Sequence, residues 1–220
     1  MVDEYWLERI KQYLSNDSSL IADEYEDYLA DVNKQEKKNN GQYYTPEEDG
    51  NWRQMEWIGW YYEYLLDKMN IRNNTPCYSP TGRKVYLDYR IDGILTDLKT
   101  HVLNSNAKGV VLNGKKAIED AVKTEGVVHV LLFEGNAVKD DENRSFQKWH
   151  CDLANSNFNP LGRQRKKSFD LTSILLLEIN QHNICNLNIM NQGKNSNGKP
   201  RPPKFLIKKN DLPLFIKEAY

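Results

Sequence analysis

The chain has 220 residues and a mass of 25.7 kDa, with 39% hydrophobic and 28% charged side chains and a net charge of −1. Five Trp and thirteen Tyr exclude a disordered chain. The longest apolar runs, Val127–Phe133 and Ile174–Leu177, are strand-length and far short of a bilayer span. Cys77, Cys151 and Cys185 are too scattered for a disulfide framework or a zinc pattern. With no apolar leader after Met1, they lead us to expect a reducing, cytoplasmic setting. The neutral total hides a gradient: residues 1–66 carry net −9, residues 67–160 net +1 and residues 161–220 net +7. A basic end suits a polyanionic partner, or else is solvated surface.

Trp6, Ile10 and Leu14 recur four apart and predict a first amphipathic helix over residues 4–15. A second, capped by Ser18 or Ser19, runs to about residue 33, and Lys34–Gly41 reads as a polar linker. A third, about 51–69, is apolar on more than one face and should be buried. The period then changes. Residues 84–91 and 94–102 alternate as strands around Asp92-Gly93, a strong hairpin signal because a type I′ turn needs positive φ at both loop positions. A helix over about 114–124, a buried strand 127–134 and a helix 144–153 follow, then a strand at about 173–179. A ribbon joins 184–190 to 203–208, and Asn210 caps a short C-terminal helix.

The hairpin gathers charge. With Asp92 and Gly93 as the loop, Ile91 faces Ile94, Arg90 faces Leu95, Tyr89 faces Thr96 and Asp88 faces Asp97. Opposed residues share a sheet face, as do residues two apart, so Lys99 joins both carboxylates. Opposed carboxylates repel unless a cation stands between them. A divalent ion together with Lys99 would supply it, and oxygen-only ligands favour Mg²⁺ or Mn²⁺ over zinc. An acid-x-Lys triplet alone is common by chance, and Glu36-Lys37-Lys38 is another. Its strand placement and the opposed Asp88 single out Asp97-Leu98-Lys99; the plain alternative is an exposed sheet face paired with lysines.

Asp88 followed by Asp97-Leu98-Lys99 resembles the motif of the PD-(D/E)xK nuclease superfamily. The stretch Leu87–Thr100 also looks like the nuclease domains of recombination helicase-nucleases. Residues 50–135 follow the superfamily's core order of helix, motif hairpin, helix and strand. Leu87 stands where members usually have proline. Glu56 is similar to a glutamate many members carry on the preceding helix, with Glu63 as its competitor, and Asp92 is an alternative first acid at the turn tip. The resemblance implies Mg²⁺ held by Asp88, Asp97 and the Leu98 carbonyl, with Glu56 in the metal shell. It implies Lys99 beside the attacking water, and products with 5′-phosphate and 3′-hydroxyl ends.

The expected architecture is a single α/β nuclease domain with a restriction-endonuclease-like core, a mixed sheet flanked by helices. An N-terminal helical region (1–45) precedes the catalytic core (50–135), and a β/loop DNA-recognition region (136–220) follows. Arg163, Arg165, Lys166 and Lys167 form a basic cluster in a loop, and Lys194, Lys199, Arg201 and Lys204 punctuate a second segment; both are candidate phosphate contacts. His101 shares the parity of Lys99 within reach of a phosphate, although packing is its simpler role. The expectation is a homodimeric type II restriction endonuclease acting on double-stranded DNA, beside a cognate DNA methyltransferase. A repair or recombination nuclease, a nuclease toxin and a non-catalytic DNA-binding module are the rivals.

Overall fold

The computed structural model describes residues 58–59, 62, 78–80, 87–91, 93–153, 157–195 and 197–219. The first two expected helices, the polar linker, Glu56, Glu63 and Asp92 lie outside the described residues. In chain order the elements are β1 (Tyr78–Pro80), β2 (Tyr89–Ile91), β3 (Ile94–Val102), β4 (Gly109–Gly114), α1 (Lys115–Glu125) and β5 (Val127–Lys139). Then come α2 (Ser145–Leu153), β6 (Lys166–Asn180), a 3-10 turn (Ile184–Asn186), β7 (Asn188–Met190), β8 (Lys204–Lys208), a second 3-10 turn (Lys209–Leu214) and β9 (Ile216–Ala219).

Six strands form the main sheet in the order β1-β2-β3-β5-β6-β9, and β4-β8-β7 form a second sheet. The hairpin register is the expected one, with Tyr89 opposite Thr96, Arg90 opposite Leu95 and Ile91 opposite Ile94. Gly93 takes φ +80° in the turn, a conformation open to glycine at little steric cost. Among the described strands of this sheet, only β3 and β5 pair in parallel. Parallel neighbours need a crossover, which β4 and α1 provide.

One face of the main sheet presents Leu95, Val128, Val130, Leu132, Leu175, Leu177 and Ile179 to a shared core. Ile118 and Val122, four apart on α1, pack there with Val110, Leu112, Phe205 and Ile207 of the second sheet. Each such buried side chain contributes about 1.5–3 kcal/mol. Strands β4 and β8 run close together: a Cβ on Gly109 would lie 2.8 Å from Lys208 Cα. On the opposite face, the Tyr62 ring stacks on Phe133 at 4.5 Å and 5° and meets Phe169 edge-on. Burial pushes the Tyr62 phenol upward, and the nearby Asp170 charge adds to the shift.

Several expectations need correction. β6 starts at Lys166, not near 173, because its first half alternates polar residues around buried Phe169 and hides the strand. Lys166 and Lys167 are therefore strand residues, not part of one loop with Arg163. Residues 184–186 form a 3-10 turn rather than strand. Asn210 caps no α-helix: it lies within a 3-10 turn, and the chain then adds β9 to the edge of β6. β4 has no counterpart among the elements expected from sequence. The boundary expected near residue 135 is crossed by β5, whose main partner is β6, and Phe205, Ile207 and Phe215 belong to the shared core. Residues 136–220 thus contribute strands and side chains to the core. Among the described residues, no helix is long and apolar enough to cross a membrane.

Candidate active site

Asp88 immediately precedes β2, and Asp97 and Lys99 lie on β3. Continuing the hairpin register by one pair brings Asp88 opposite Asp97. Asp88 Oδ2 accepts a hydrogen bond from the Leu98 backbone N–H at 2.8 Å, which fastens the first acid across the open end of the hairpin. Asp97 is fully buried, while Asp88 and Lys99 are half-buried and form the solvent side of the cluster.

The Asp97 carboxylate is held from two sides. Asn113 Nδ2 of β4 donates to Oδ1 at 3.0 Å. Lys99 Nζ stands 2.7 Å from Oδ2 as an ion pair, and among the described residues that oxygen is otherwise incompletely satisfied. The same ammonium donates to the Leu98 carbonyl at 3.0 Å. Burial raises the Asp97 pKa to about 7 against the lowering effect of Lys99, and the Asp88 charge adds to the rise.

A cation therefore already bridges Asp97 Oδ2 and the Leu98 carbonyl. These oxygens, with the adjacent Asp88 carboxylate, are hard donors of the kind that Mg²⁺ and Mn²⁺ take. An incompletely satisfied buried carboxylate oxygen fits such an ion. Among the described residues, no group of three or more His, Cys, Asp or Glu side chains is gathered for a metal, so this set is two carboxylates and one carbonyl. Glu56, the expected further ligand, is outside the described residues.

Asn113 was not singled out in the sequence. It reaches Asp97 only because the second sheet docks on the first, and no local spacing announces that. A second pair lies farther along the same face: His101 Nδ1 is 2.8 Å from Glu134 Oε1, with both residues buried and in register across β3 and β5.

The basic residues divide. Arg165 is turned inward, its guanidinium bonded to His150 Nδ1 and near Cys151 Sγ at 3.9 Å, so it serves packing rather than a free phosphate contact. Arg163 and Lys167 are exposed, and Lys166 is half-buried. Lys194, Lys199 and Arg201 are exposed on the loop between β7 and β8. Lys204 pairs in register with Gly114, next to Asn113, so the base of that loop adjoins the Asp97 cluster. A groove of Val122, Ile184, Leu187, Ile189 and Phe205 lies elsewhere and includes none of the cluster's residues. Comparison with protein-family models, with curated proteins and with solved structures gives no match.

Proposed function

We propose that the chain is a divalent-metal-dependent endonuclease that hydrolyses phosphodiester bonds of double-stranded DNA at a short specific site, as a type II restriction enzyme does. The observation that carries the reading is the buried Asp97 carboxylate, beside Asp88, with one oxygen and the Leu98 carbonyl bridged by Lys99. The chain order of motif hairpin, helix and a strand parallel to the hairpin's second strand, with β4 intervening before the helix, supports it, as part of the core order of the PD-(D/E)xK resemblance.

Asp88, Asp97 and the Leu98 carbonyl would hold Mg²⁺, with Mn²⁺ as a substitute. When bound, the ion supplies polarisation of a phosphate oxygen and a water of lowered pKa. Asn113 fixes the rotamer of Asp97 so that Oδ2 faces the site. Lys99 offsets the charge that grows on phosphorus in the transition state. Arg163, Lys166, Lys167, Lys194, Lys199, Arg201 and Lys204 would track phosphates.

Their placement suits that role. β5 and β6 run on as a two-stranded ribbon beyond the end of β3, and Asn104 braces it through both backbone groups of Ala137. Lys139, Lys166 and Lys167 sit at its far end. Leu132 lies across from Lys99, so Lys139 is seven residues along β5 from that register, about 24 Å at ~3.4 Å per residue. The β7–β8 loop rises beside the site itself. Two basic arms of this kind would hold a duplex along several base pairs.

The test is incubation of the full chain with phage DNA and Mg²⁺. Discrete fragments, absent with Asp97→Ala and Asp88→Asn while DNA binding in Ca²⁺ survives, are expected. A smear assigns an unspecific nuclease of the repair or toxin type. Intact DNA in both Mg²⁺ and Mn²⁺ returns the chain to a binding module.

A further inference from the structure

The nuclease reading leaves two buried groups on the face of Asp97 and Lys99 without a task. His101 is 5% exposed and Glu134 8%, directly opposite each other on β3 and β5. His101 Nδ1 meets Glu134 Oε1 at 2.8 Å, and the other carboxylate oxygen takes the Ser173 hydroxyl at 3.4 Å. With the Nδ1 proton donated to this carboxylate, Nε2 carries a lone pair. That Nε2 is buried and has no hydrogen-bond partner among the described residues. Leaving a buried acceptor unpaired costs about 1–3 kcal/mol, so a partner that arrives in the working state would account for it.

Lys99 lies on this strand face two residues before His101. Residues two apart on a strand lie about 6.7 Å apart, within the span of a four-carbon side chain bearing three donors. Lys99 meanwhile holds Asp97 Oδ2 and the Leu98 carbonyl, the oxygens assigned above to the metal. Ammonium and metal ion cannot share them.

We propose that Lys99 has two seats. Without metal, its ammonium bridges Asp97 and the Leu98 carbonyl. With a divalent ion on those oxygens, the ammonium moves along the strand face and donates to His101 Nε2. Glu134 fixes the tautomer that makes Nε2 an acceptor, and its charge balances the relocated ammonium. No covalent bond changes, and the proton stays on Lys99. His101 and Glu134 are positioning residues that act through Lys99. The inference rests on the metal-dependent nuclease reading and adds to it the means by which the lysine is aimed.

The experiment is nitrogen-15 NMR of the histidine rings and backbone amides of the full chain, titrated with Mg²⁺ alone. The expected result is that the His101 Nε2 resonance shifts in step with the Asp97 and Leu98 amides while the Nδ1 proton is retained. In Lys99→Met the amides should still respond and the His101 ring should not. If the amides respond in the parent and the His101 ring stays unchanged, the second seat is refuted and the metal site stands. If neither responds to Mg²⁺ or Mn²⁺, both fail. A kinetic arm uses Glu134→Gln, which removes the charge that balances the relocated ammonium at Nε2. Cleavage should fall about 10- to 100-fold with Mg²⁺ affinity kept within about twofold. A folded Glu134→Gln that cuts at the parental rate overturns the proposal.

Discussion

Among the described residues Asp97 carries the sharpest physical conflict, a carboxyl with no solvent exposure beside a second acid. Burial lifts its pKa from the ordinary 3.8 to about 7 despite Lys99, with Asp88 adding to the rise. Because the folded value lies above the unfolded one, the native state binds the extra proton. The resulting stability is full below about pH 3.8 and is lost as pH rises through 7. At pH 8 in metal-free buffer the buried charge should therefore destabilise the fold. Asp97→Asn is expected to raise the melting temperature at pH 8 more than at pH 5. The gain should be on the order of 1–4 kcal/mol, at roughly 1.4 kcal/mol for each tenfold change in proton affinity. Equal shifts at the two pH values would contradict this account.

Lys99 poses the complementary case. Its ammonium screens the two carboxylates, but an ion held by them would do the same. Lys99→Ala should cut cleavage at least about a hundredfold, equivalent to roughly 2.7 kcal/mol of transition-state stabilisation. In saturating Mg²⁺ the melting temperature should barely move. A variant that melts far earlier yet cuts normally would make this lysine structural.

At the scale of elements, α2 shows how charge can mislead. Asp140 is buried and accepts backbone N–H groups of Asp141, Phe146 and Gln147, closing the helix N-terminus as a carboxylate cap. The segment after α2 is tied back by Arg144 to the Gly162 carbonyl at 2.6 Å and by Gln164 to the Asp140 carbonyl. Arg165 completes the clasp at His150. Replacing Arg163 and Lys167 with Ala should lower the log–log salt slope of DNA binding by about 0.9 for each phosphate no longer neutralised. Arg165→Ala should leave that slope alone and instead destabilise the fold by about 1–3 kcal/mol, since the buried His150 loses this guanidinium contact. Chemical denaturation and salt-dependent binding of the same variants separate the two effects.

Across the whole molecule, legibility followed distance along the chain. The β2–β3 hairpin was readable because Asp92-Gly93 sets register locally, and with register came the meeting of Asp88, Asp97 and Lys99. α1 and the start of β5 were readable from period and apolar runs. The first half of β6 was not, because Lys166–Thr172 buries little beyond Phe169. Nor could Asn113 be found, since its partner lies sixteen positions away and in another sheet. Charge alone could not tell Arg165 from Arg163. Nor did the sequence show how far the main sheet reaches past residue 135: β6 supplies the longest pairing among the described strands from beyond that point. A fragment ending at residue 135 should therefore fail to fold, leaving Val128, Val130 and Leu132 without their covering strand. A cooperative melt from that fragment would contradict this view.

The detour of β4 into the second sheet has a consequence in time. The β2–β3 hairpin closes over two loop residues and can form early, whereas Asn113 reaches Asp97 only when the two sheets dock. Until then Asp97 lies in water with ordinary acidity and a freely turning carboxyl group. A refolding chain would form this hairpin before it acquires a usable pair of acids. On the nuclease reading, activity would then switch on with the docking of the two sheets, and a half-folded chain would be harmless to DNA.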